Sequence, residues 1–194
     1  IIYFFSFLSL NGLWFFMDNK YEKISFSIGI KKKTLNIIQQ KLIFSDIIGY
    51  GNFQIFKTEE EFKHIIKDTG PTYLDIDKTE FIEKIQKHKE KEISDFLLMQ
   101  KVFSGIGTIY CSDSLFKTKI MPYEKIKDLS HEKLKLLLKN IKDILLLSIS
   151  LGGCSFQDYL NPYGIKGNYK PLIYGDKNAL KYRTKTNNRG IYYQ

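Results

Sequence analysis

The chain has 194 residues, of which 43% are hydrophobic and 26% charged, enough for one large or two small soluble domains with a buried core. Its net charge is +9, and residues 166–194 alone contribute +6. That segment also contains five tyrosines, a combination that suits a polyanion such as nucleic acid. From charge alone, a solvated tail is an equal alternative.

The two cysteines, Cys111 and Cys154, cannot build a disulfide framework or a four-cysteine zinc site. The histidines His64, His88 and His131 lack the spacing of metal ligands, so surface or core roles are expected for them. The simple interpretation is a reducing, intracellular setting without a metal site.

Residues 1–17 are mostly apolar, which is the pattern of a signal peptide, a membrane segment or buried strands. The run lacks a basic start and a small-residue cleavage site, and polar residues interrupt it. Asn11-Gly12 is a strong hairpin signal, so we predict two buried strands around a turn and no membrane segment. Because the chain starts at Ile1 rather than Met, an earlier part of this domain is expected to be missing.

The pattern up to residue 57 predicts strands, because short segments rich in β-branched and aromatic residues alternate with turn signals. These segments are 3–10, 13–17, 23–30, 34–40, 41–48 and 53–57, which amount to much of a β-sandwich. A helix is predicted over 58–68, with Thr58 as its cap. Its apolar face would contain Phe62, Ile65 and Ile66. Gly70-Pro71 ends it and marks a domain boundary.

Beyond this boundary the pattern changes to helices. They are predicted from the cap Thr79, over 90–99, over 109–117, and from the cap Ser130 to Gly152-Gly153. The last helix is the longest, and its buried stripe is predicted to contain Leu134, Leu137, Leu138, Ile141, Ile144, Leu145 and Ile149. A loop over 154–171 and a terminal hairpin around Thr186-Asn187-Asn188 complete the chain.

Residues 100–116 combine a helix end, two tight turns and a new helix. Gly105 and Gly107 permit positive φ, and Thr108 is a candidate N-cap. Glycines of this kind let backbone N–H groups approach an anion, and the following helix N-terminus adds partial positive charge. The stretch is therefore a candidate phosphate site, although most such glycine pairs are ordinary turns.

Seven stretches, taken in order, are similar to motifs of one known family. They are FLSLNGLW (7–14), FSDIIGYG (44–51), DTGPTYL (68–74), the stretch 100–116, LGGCSFQDY (151–159), LIYGDKN (172–178) and NRGIYYQ (188–194). The chain resembles the formamidopyrimidine-DNA glycosylase / endonuclease VIII family of base-excision repair enzymes over nearly its whole length.

This resemblance implies an α+β fold. Its parts would be a partial N-terminal β-sandwich (1–71), a linker (72–77), a helix-two-turn-helix domain (78–165), and a capping loop with a C-terminal β-hairpin finger (166–194). Family fingers are commonly held by four cysteines on zinc, but residues 172–194 contain no cysteine. The finger therefore resembles the zincless variant, held by hairpin hydrogen bonds, or one that decayed after losing its metal. No cofactor is expected.

In this family a damaged base is flipped out of the duplex, an amine attacks the sugar to form a Schiff base, and elimination nicks the strand. The amine belongs to an N-terminal proline followed by a glutamate, with a lysine farther along, and no Pro-Glu pair occurs here. No catalytic residue is therefore assigned within this chain.

Two interpretations stay open: a DNA glycosylase with AP-lyase chemistry whose catalytic residues lie upstream, or a catalytically inactive remnant that binds damaged DNA. The expected partner in either case is double-stranded damaged DNA, bound by a monomer inside the cell, in the nucleus or another compartment that replicates DNA. A basic structural or membrane-surface protein is a remote third alternative.

The resemblance assigns DNA contacts to Lys101, Gly105, Gly107, Thr108, Tyr110 and Arg189. Lys101 matches a lysine that part of the family has near the abasic sugar. Thr108 stands where the family has a phosphate-holding asparagine, and its hydroxyl supplies one donor where an amide supplies two. Arg189 matches the finger arginine, whose guanidinium can grip phosphates in bidentate fashion. It is one of 2 arginines against 28 lysines, which supports the match over a plain surface arginine.

The residues that match the family's void-filling positions are Leu10, Ile48 and Tyr50. Leu10 and Tyr50 can still occupy the gap left by a flipped base through apolar contact or stacking. Ile48 replaces an arginine and cannot pair with the orphaned opposite base. We therefore expect poor discrimination between opposite bases.

Overall fold

The structure of the chain is a computed structural model. It describes residues 3–7, 12–15, 22–31, 37–46, 52–156 and 160–194. The chain divides into two compact units, Ile1–Ile66 with Gln157–Asn168, and Lys67–Phe156 with Tyr169–Gln194. The α+β class is confirmed, because strands dominate the first unit while the second contains helices and a small antiparallel hairpin. The domain limits predicted from the sequence stay predictions.

The strands of the first unit are β1 (Tyr3–Phe7), β2 (Gly12–Phe15), β3 (Glu22–Lys31), β4 (Ile37–Asp46) and β5 (Asn52–Phe56). β4 pairs antiparallel with both β2 and β3, and β1 pairs antiparallel with β5. Strands lie on both sides of Asn11-Gly12 as predicted, but they do not form the hairpin that this dipeptide indicates, because they pair with β5 and β4 rather than with each other. The predicted segments 34–40 and 41–48 contribute to a single strand, since the pairing of β4 with β3 runs unbroken past Gln40 and Lys41.

Helix α1 (Glu59–Ile66) begins at a capping box. Thr58 Oγ1 accepts the N–H of Glu61 at 3.3 Å, and the Glu61 carboxylate accepts the N–H of Thr58 at 3.3 Å. This confirms Thr58 as the cap. The predicted apolar face is less covered than expected, because no residue of α1 is buried and Ile65 is 38% exposed.

The second unit contains α2 (Lys78–Gln86), α3 (Ile93–Leu97), α4 (Thr108–Thr118), a 3-10 turn (Ile126–Asp128), α5 (His131–Ser150), and the hairpin strands β6 (Leu180–Arg183) and β7 (Gly190–Tyr193). Ser130 caps α5 as predicted, since its hydroxyl accepts the N–H of Lys133 at 3.2 Å. The cap of α2 is Asp77 rather than Thr79, because the Asp77 carboxylate accepts the N–H of Glu80 at 2.8 Å. Helix α3 is shorter than predicted, since Glu92 is extended and bridges to Lys125.

The core of the second unit is built around the aromatic side chains Tyr73, Phe81, Phe96 and Phe103, all at most 1% exposed. The buried face of α5 joins this core as predicted, except that Ile144 lies in a smaller neighbouring cluster and Ile149 is 63% exposed. At that end of α5 the core is completed by other residues. Cys154 and Tyr169 pack beside Ile144, because the chain turns back through Gly152 and Gly153 at positive φ.

Ile191 of β7 is fully buried in the same core, so the hairpin packs onto the helices. No helix within the described ranges is long and apolar enough to cross a membrane.

Asp113 is a fully buried carboxylate on α4 that holds the segment before the hairpin. It accepts the hydroxyl of Tyr169 at 2.7 Å and the N–H groups of Leu172, Ile173 and Tyr174 at 3.0, 3.0 and 3.4 Å. Burial, followed by this hydrogen bond, raises the pKa of Tyr169. A buried polar side chain is tolerated only when hydrogen bonds replace its hydration, and these four donors do so.

Replacing Asp113 with alanine is expected to reduce the free energy of unfolding by about 3 kcal/mol or more, because it leaves several buried donors unpaired. Urea unfolding followed by circular dichroism measures this loss. The matched control is Asp143→Ala on α5, where the aspartate is exposed and the expected change is within about 0.5 kcal/mol. Equal effects of the two substitutions would contradict the role given to Asp113.

Candidate nucleic-acid interface

The segment that joins α3 to α4, residues 100–107, is called the glycine turn below. Gly105 has φ of 101°, as predicted. The side chain of Gln100 closes the turn, since its Oε1 accepts the N–H of Gly105 at 3.2 Å and its Nε2 donates to the carbonyl of Ile106 at 2.9 Å. The N–H of Gly105 therefore helps to hold the turn together, and the DNA contact of Gly105 stays a prediction. Sequence reasoning missed Gln100, although an amide at the start of a glycine-containing turn is the available signal.

The glycine turn is also fixed along residues 70–73. Ser104 donates its N–H to the carbonyl of Pro71 at 2.9 Å and its hydroxyl to the carbonyl of Gly70 at 2.7 Å. The approach is so close that a Cβ on Gly70 would lie 2.3 Å from the carbonyl oxygen of Val102. Only glycine fits at position 70 without moving this backbone.

Helix α4 begins at the end of the glycine turn, one residue earlier than predicted. Its N-cap is Gly107, whose φ of −116° is ordinary extended backbone, so the predicted positive φ of Gly107 and the N-cap role of Thr108 are wrong. Gly107 has no side chain, so the N-cap residue itself provides no side-chain cap for this helix start. The first-turn N–H groups of a helix lack helical acceptors, so they and the helix dipole favour an anion here.

Two further predicted contact residues flank this helix start in different environments. Lys101 is exposed and pairs with Asp68 at 3.4 Å, a surface ion pair that a phosphate can replace at little cost. Tyr110 faces the protein interior, where its hydroxyl lies 2.7 Å from Ser148 Oγ and its ring 5.7 Å from that of Tyr169. These contacts give Tyr110 a packing role, and its DNA contact stays a prediction.

The turn between β6 and β7, residues 184–189, is called the finger turn below. Thr184 organises it: its N–H donates to the carbonyl of Arg189 at 2.9 Å, its carbonyl accepts the N–H of Asn188 at 3.0 Å, and its hydroxyl accepts the N–H of Arg189 at 3.0 Å. Asn188 takes φ of 50°, which asparagine tolerates. The predicted hairpin is confirmed. Arg189 uses its backbone in these bonds and presents an exposed side chain.

A pair of tyrosines, Tyr174 and Tyr192, connects the start of α4 to the finger strands; we call it the tyrosine bridge. The hydroxyl of Thr108 donates to that of Tyr174 at 3.4 Å. The ring of Tyr174 lies 4.7 Å from that of Tyr192 on β7, and the Lys181 ammonium lies 5.2 Å from the Tyr192 ring. The bridge thus links the two predicted phosphate-binding segments by direct contacts.

Polar groups of α3 and α4 hold the hairpin in place. Ser112 Oγ accepts the N–H of Tyr192 at 3.0 Å, and Asp95 accepts the N–H of Thr186 at 3.0 Å. The Glu92 carboxylate accepts the hydroxyl of Tyr182 and pairs with Lys185 at 2.5 Å. Burial, followed by the bond to Glu92, raises the pKa of Tyr182. These residues, like Asp113, were not identified from the sequence.

The predicted void-filling residues Leu10, Ile48 and Tyr50 lie outside the described residues. Their role therefore stays a prediction. The same holds for the expectation that the chain uses no cofactor.

Comparison with known proteins connects this geometry to a family. The profile of the formamidopyrimidine-DNA glycosylase H2TH domain, the helix-two-turn-helix, matches residues 68–159. The formamidopyrimidine-DNA glycosylase of Lactococcus lactis subsp. lactis (strain IL1403) is 32% identical over 149 residues, which are 74% of this chain and 54% of that protein. The chain thus spans about half the length of this curated relative.

Solved structures show the same fold. The MutM (Fpg) protein from Thermus thermophilus superposes with a TM-score of 0.79 at 17% identity, over 100% of this chain and 74% of that one. The LlFpg protein in complex with a THF-DNA and an inhibitor has a TM-score of 0.75 at 25% identity, over 100% of this chain and 73% of that one. The order of the matched motifs, the H2TH profile and this shared architecture agree in supporting the formamidopyrimidine-DNA glycosylase / endonuclease VIII family for this chain.

Proposed function

We propose that this chain binds damaged double-stranded DNA as the DNA-gripping part of a base-excision-repair DNA glycosylase with AP-lyase chemistry. The observation that carries the proposal is the tyrosine bridge, which joins the start of α4 at Thr108 to the strands that present Arg189. The LlFpg structure with a THF-DNA supports a DNA partner for a chain of this fold.

Each side of the bridge offers groups that suit phosphate. At the start of α4, first-turn N–H groups and the Thr108 hydroxyl are donors beside a positive helix terminus. At the finger, Arg189 supplies a planar guanidinium. Lys101 and Lys181 add positive charge, and the +6 of residues 166–194 favours association with a polyanion. These contacts position a duplex without reading its sequence.

The finger is proposed to work without zinc. Its cysteine-free sequence supports this, as does the number of polar bonds from α3 and α4 that hold it. Ile191 adds a buried apolar contact from β7. A hairpin of short strands is marginal alone, and these contacts supply the stabilisation that a metal gives elsewhere.

A second candidate function is damaged-DNA binding without catalysis. The tyrosine bridge and the two segments that it joins are sufficient for this function, because they position phosphate-binding groups without any catalytic group. Both candidates share the DNA-binding surface, and both are proposed for a monomer inside the cell. They differ only in chemistry.

DNA binding is tested by fluorescence anisotropy with a duplex that contains an abasic-site analogue. Arg189→Ala is expected to weaken binding about 10- to 100-fold and to lower the salt slope by about 1 to 2, because phosphate contacts are lost. The charge-matched control is Lys139→Ala on α5, which removes one exposed positive charge from a residue that belongs to neither turn. Salt-independent binding, or equal losses for the two variants, would refute the proposal.

Borohydride trapping on abasic-site DNA separates the two candidates. The 194-residue chain is expected to give no covalent complex, because it lacks the family's amine. A longer product of the same reading frame that begins Met-Pro-Glu is expected to be trapped if the protein is an enzyme, and a stop codon upstream of Ile1 would leave the binding candidate. Covalent capture by the 194-residue chain itself would show that another amine acts.

The zincless finger is tested by elemental analysis of the purified protein and by chelation. We expect substoichiometric zinc and a midpoint of thermal unfolding that EDTA does not change, since side-chain and core contacts hold the hairpin. Stoichiometric zinc, or a lower midpoint in EDTA, would overturn the proposal.

A further inference from the structure

We propose that Glu92 and Asp95 are positioning residues for DNA binding: they hold the finger turn, and through it Arg189, without touching DNA themselves. The inference rests on the proposed DNA-binding function and adds the internal contacts on which the finger arginine depends. We call these two carboxylates the acidic anchor.

The acidic anchor sits on a rigid part of the second unit. Glu92 is the N-cap residue of α3 and bridges to Lys125, while Asp95 lies in the first turn of the same helix. Phe96, next to Asp95, is 1% exposed in the core. Glu92 and Asp95 are only 8% and 6% exposed, so their positions are set by the surrounding structure.

The acidic anchor binds the hairpin at three positions in and next to the finger turn. The Glu92 carboxylate accepts the hydroxyl of Tyr182 on β6 and pairs with Lys185 at 2.5 Å. Asp95 Oδ1 accepts the backbone N–H of Thr186 at 3.0 Å. The bonds therefore reach from the end of β6 into the first half of the turn.

Arg189 lies at the opposite end of this turn and is coupled to the gripped end through Thr184. The N–H and hydroxyl of Thr184 bond the carbonyl and N–H of Arg189 at 2.9 and 3.0 Å. Arg183 adds a bond from its Nη1 to the carbonyl of Asn188 at 3.1 Å. Displacing the Lys185–Thr186 end would therefore displace the backbone of Arg189.

The position of two acids here is electrostatically unfavourable for a surface that binds DNA. Any carboxylate near phosphates repels them, so by charge alone its removal would strengthen binding. If the anchor positions Arg189, its removal weakens binding, because the finger must then be ordered at the moment of association. The electrostatic account and the positioning account therefore predict opposite changes in DNA affinity when a carboxylate is removed.

The experiment uses Asp95→Ala, Asp95→Asn and Glu92→Gln in the 194-residue chain. The matched control is Glu90→Gln, which removes an exposed acid two residues before Glu92 that pairs with Lys127 at 2.9 Å. The first readout is amide hydrogen exchange of Thr186 and of the β6–β7 pairs, without DNA. The second is affinity for the abasic-analogue duplex, with Arg189→Ala alone and combined with Asp95→Ala.

We expect Asp95→Ala to speed exchange of the Thr186 amide at least tenfold and to weaken DNA binding about fivefold or more. Glu92→Gln is expected to do the same to a smaller extent, since glutamine still accepts the Tyr182 hydroxyl. Asp95→Asn retains an acceptor and is expected to stay near wild type. Glu90→Gln is expected to leave exchange unchanged and binding equal or slightly tighter.

In the combined variant, Asp95→Ala should cause little further loss once Arg189 is absent, because both act on one contact. Full additivity of the two losses in DNA affinity would overturn the proposal. So would unchanged exchange of the Thr186 amide in Asp95→Ala, or faster exchange that leaves DNA binding equal or tighter. If wild type and Arg189→Ala both fail to bind the duplex, the DNA-binding function itself is refuted and this role falls with it. If Asp95→Ala does not fold, Glu92→Gln decides by the same two readouts.

Discussion

The second unit depends on the hydrogen bonds that Asp113 accepts inside it. A carboxylate with no exposed surface must recover its hydration energy from the protein, and Tyr169 with the backbone of 172–174 provides the donors. The same bonds also satisfy the N–H groups of that backbone, which belongs to no helix or strand and therefore lacks the acceptors of regular secondary structure. One side chain on α4 thus fixes the segment from which Tyr174 and the hairpin extend.

Helix α4 consequently connects the two predicted phosphate-binding segments. Its start follows the glycine turn, its Ser112 accepts the N–H of Tyr192 on β7, and Asp113 holds the segment that contains Tyr174. Because these contacts come from successive turns of one α-helix, the regular helix geometry helps to fix the distance between the helix start and the finger strands. Packing of Ile191 into the core completes this arrangement from the hairpin side.

Local signals in the sequence were enough for Ser130 as a cap, for the hairpin that contains Arg189, and for the positive φ of Gly105. They failed where contacts with residues far along the chain determine the local structure. Asn11-Gly12 is a hairpin signal, yet its flanking strands pair with strands far along the chain. Asp113 and Glu92 act on residues 56 to 61 and 90 positions away, respectively, so nothing beside them in the sequence marks their role.

The two glycines of the stretch 100–116 have different roles in the local structure. Gly105 supplies positive φ, and its N–H is bonded to Gln100, so it helps to build the turn. Gly107 has an ordinary φ, and a Cβ there would meet nothing within 4 Å, so its lack of a side chain leaves the start of α4 open. The Thr108 hydroxyl is held by Tyr174 at 3.4 Å, a long bond that costs little to exchange for a phosphate oxygen. The proposed phosphate contact therefore depends on the first-turn N–H groups and Thr108. Gly105 and Gln100 stabilise the turn that precedes them.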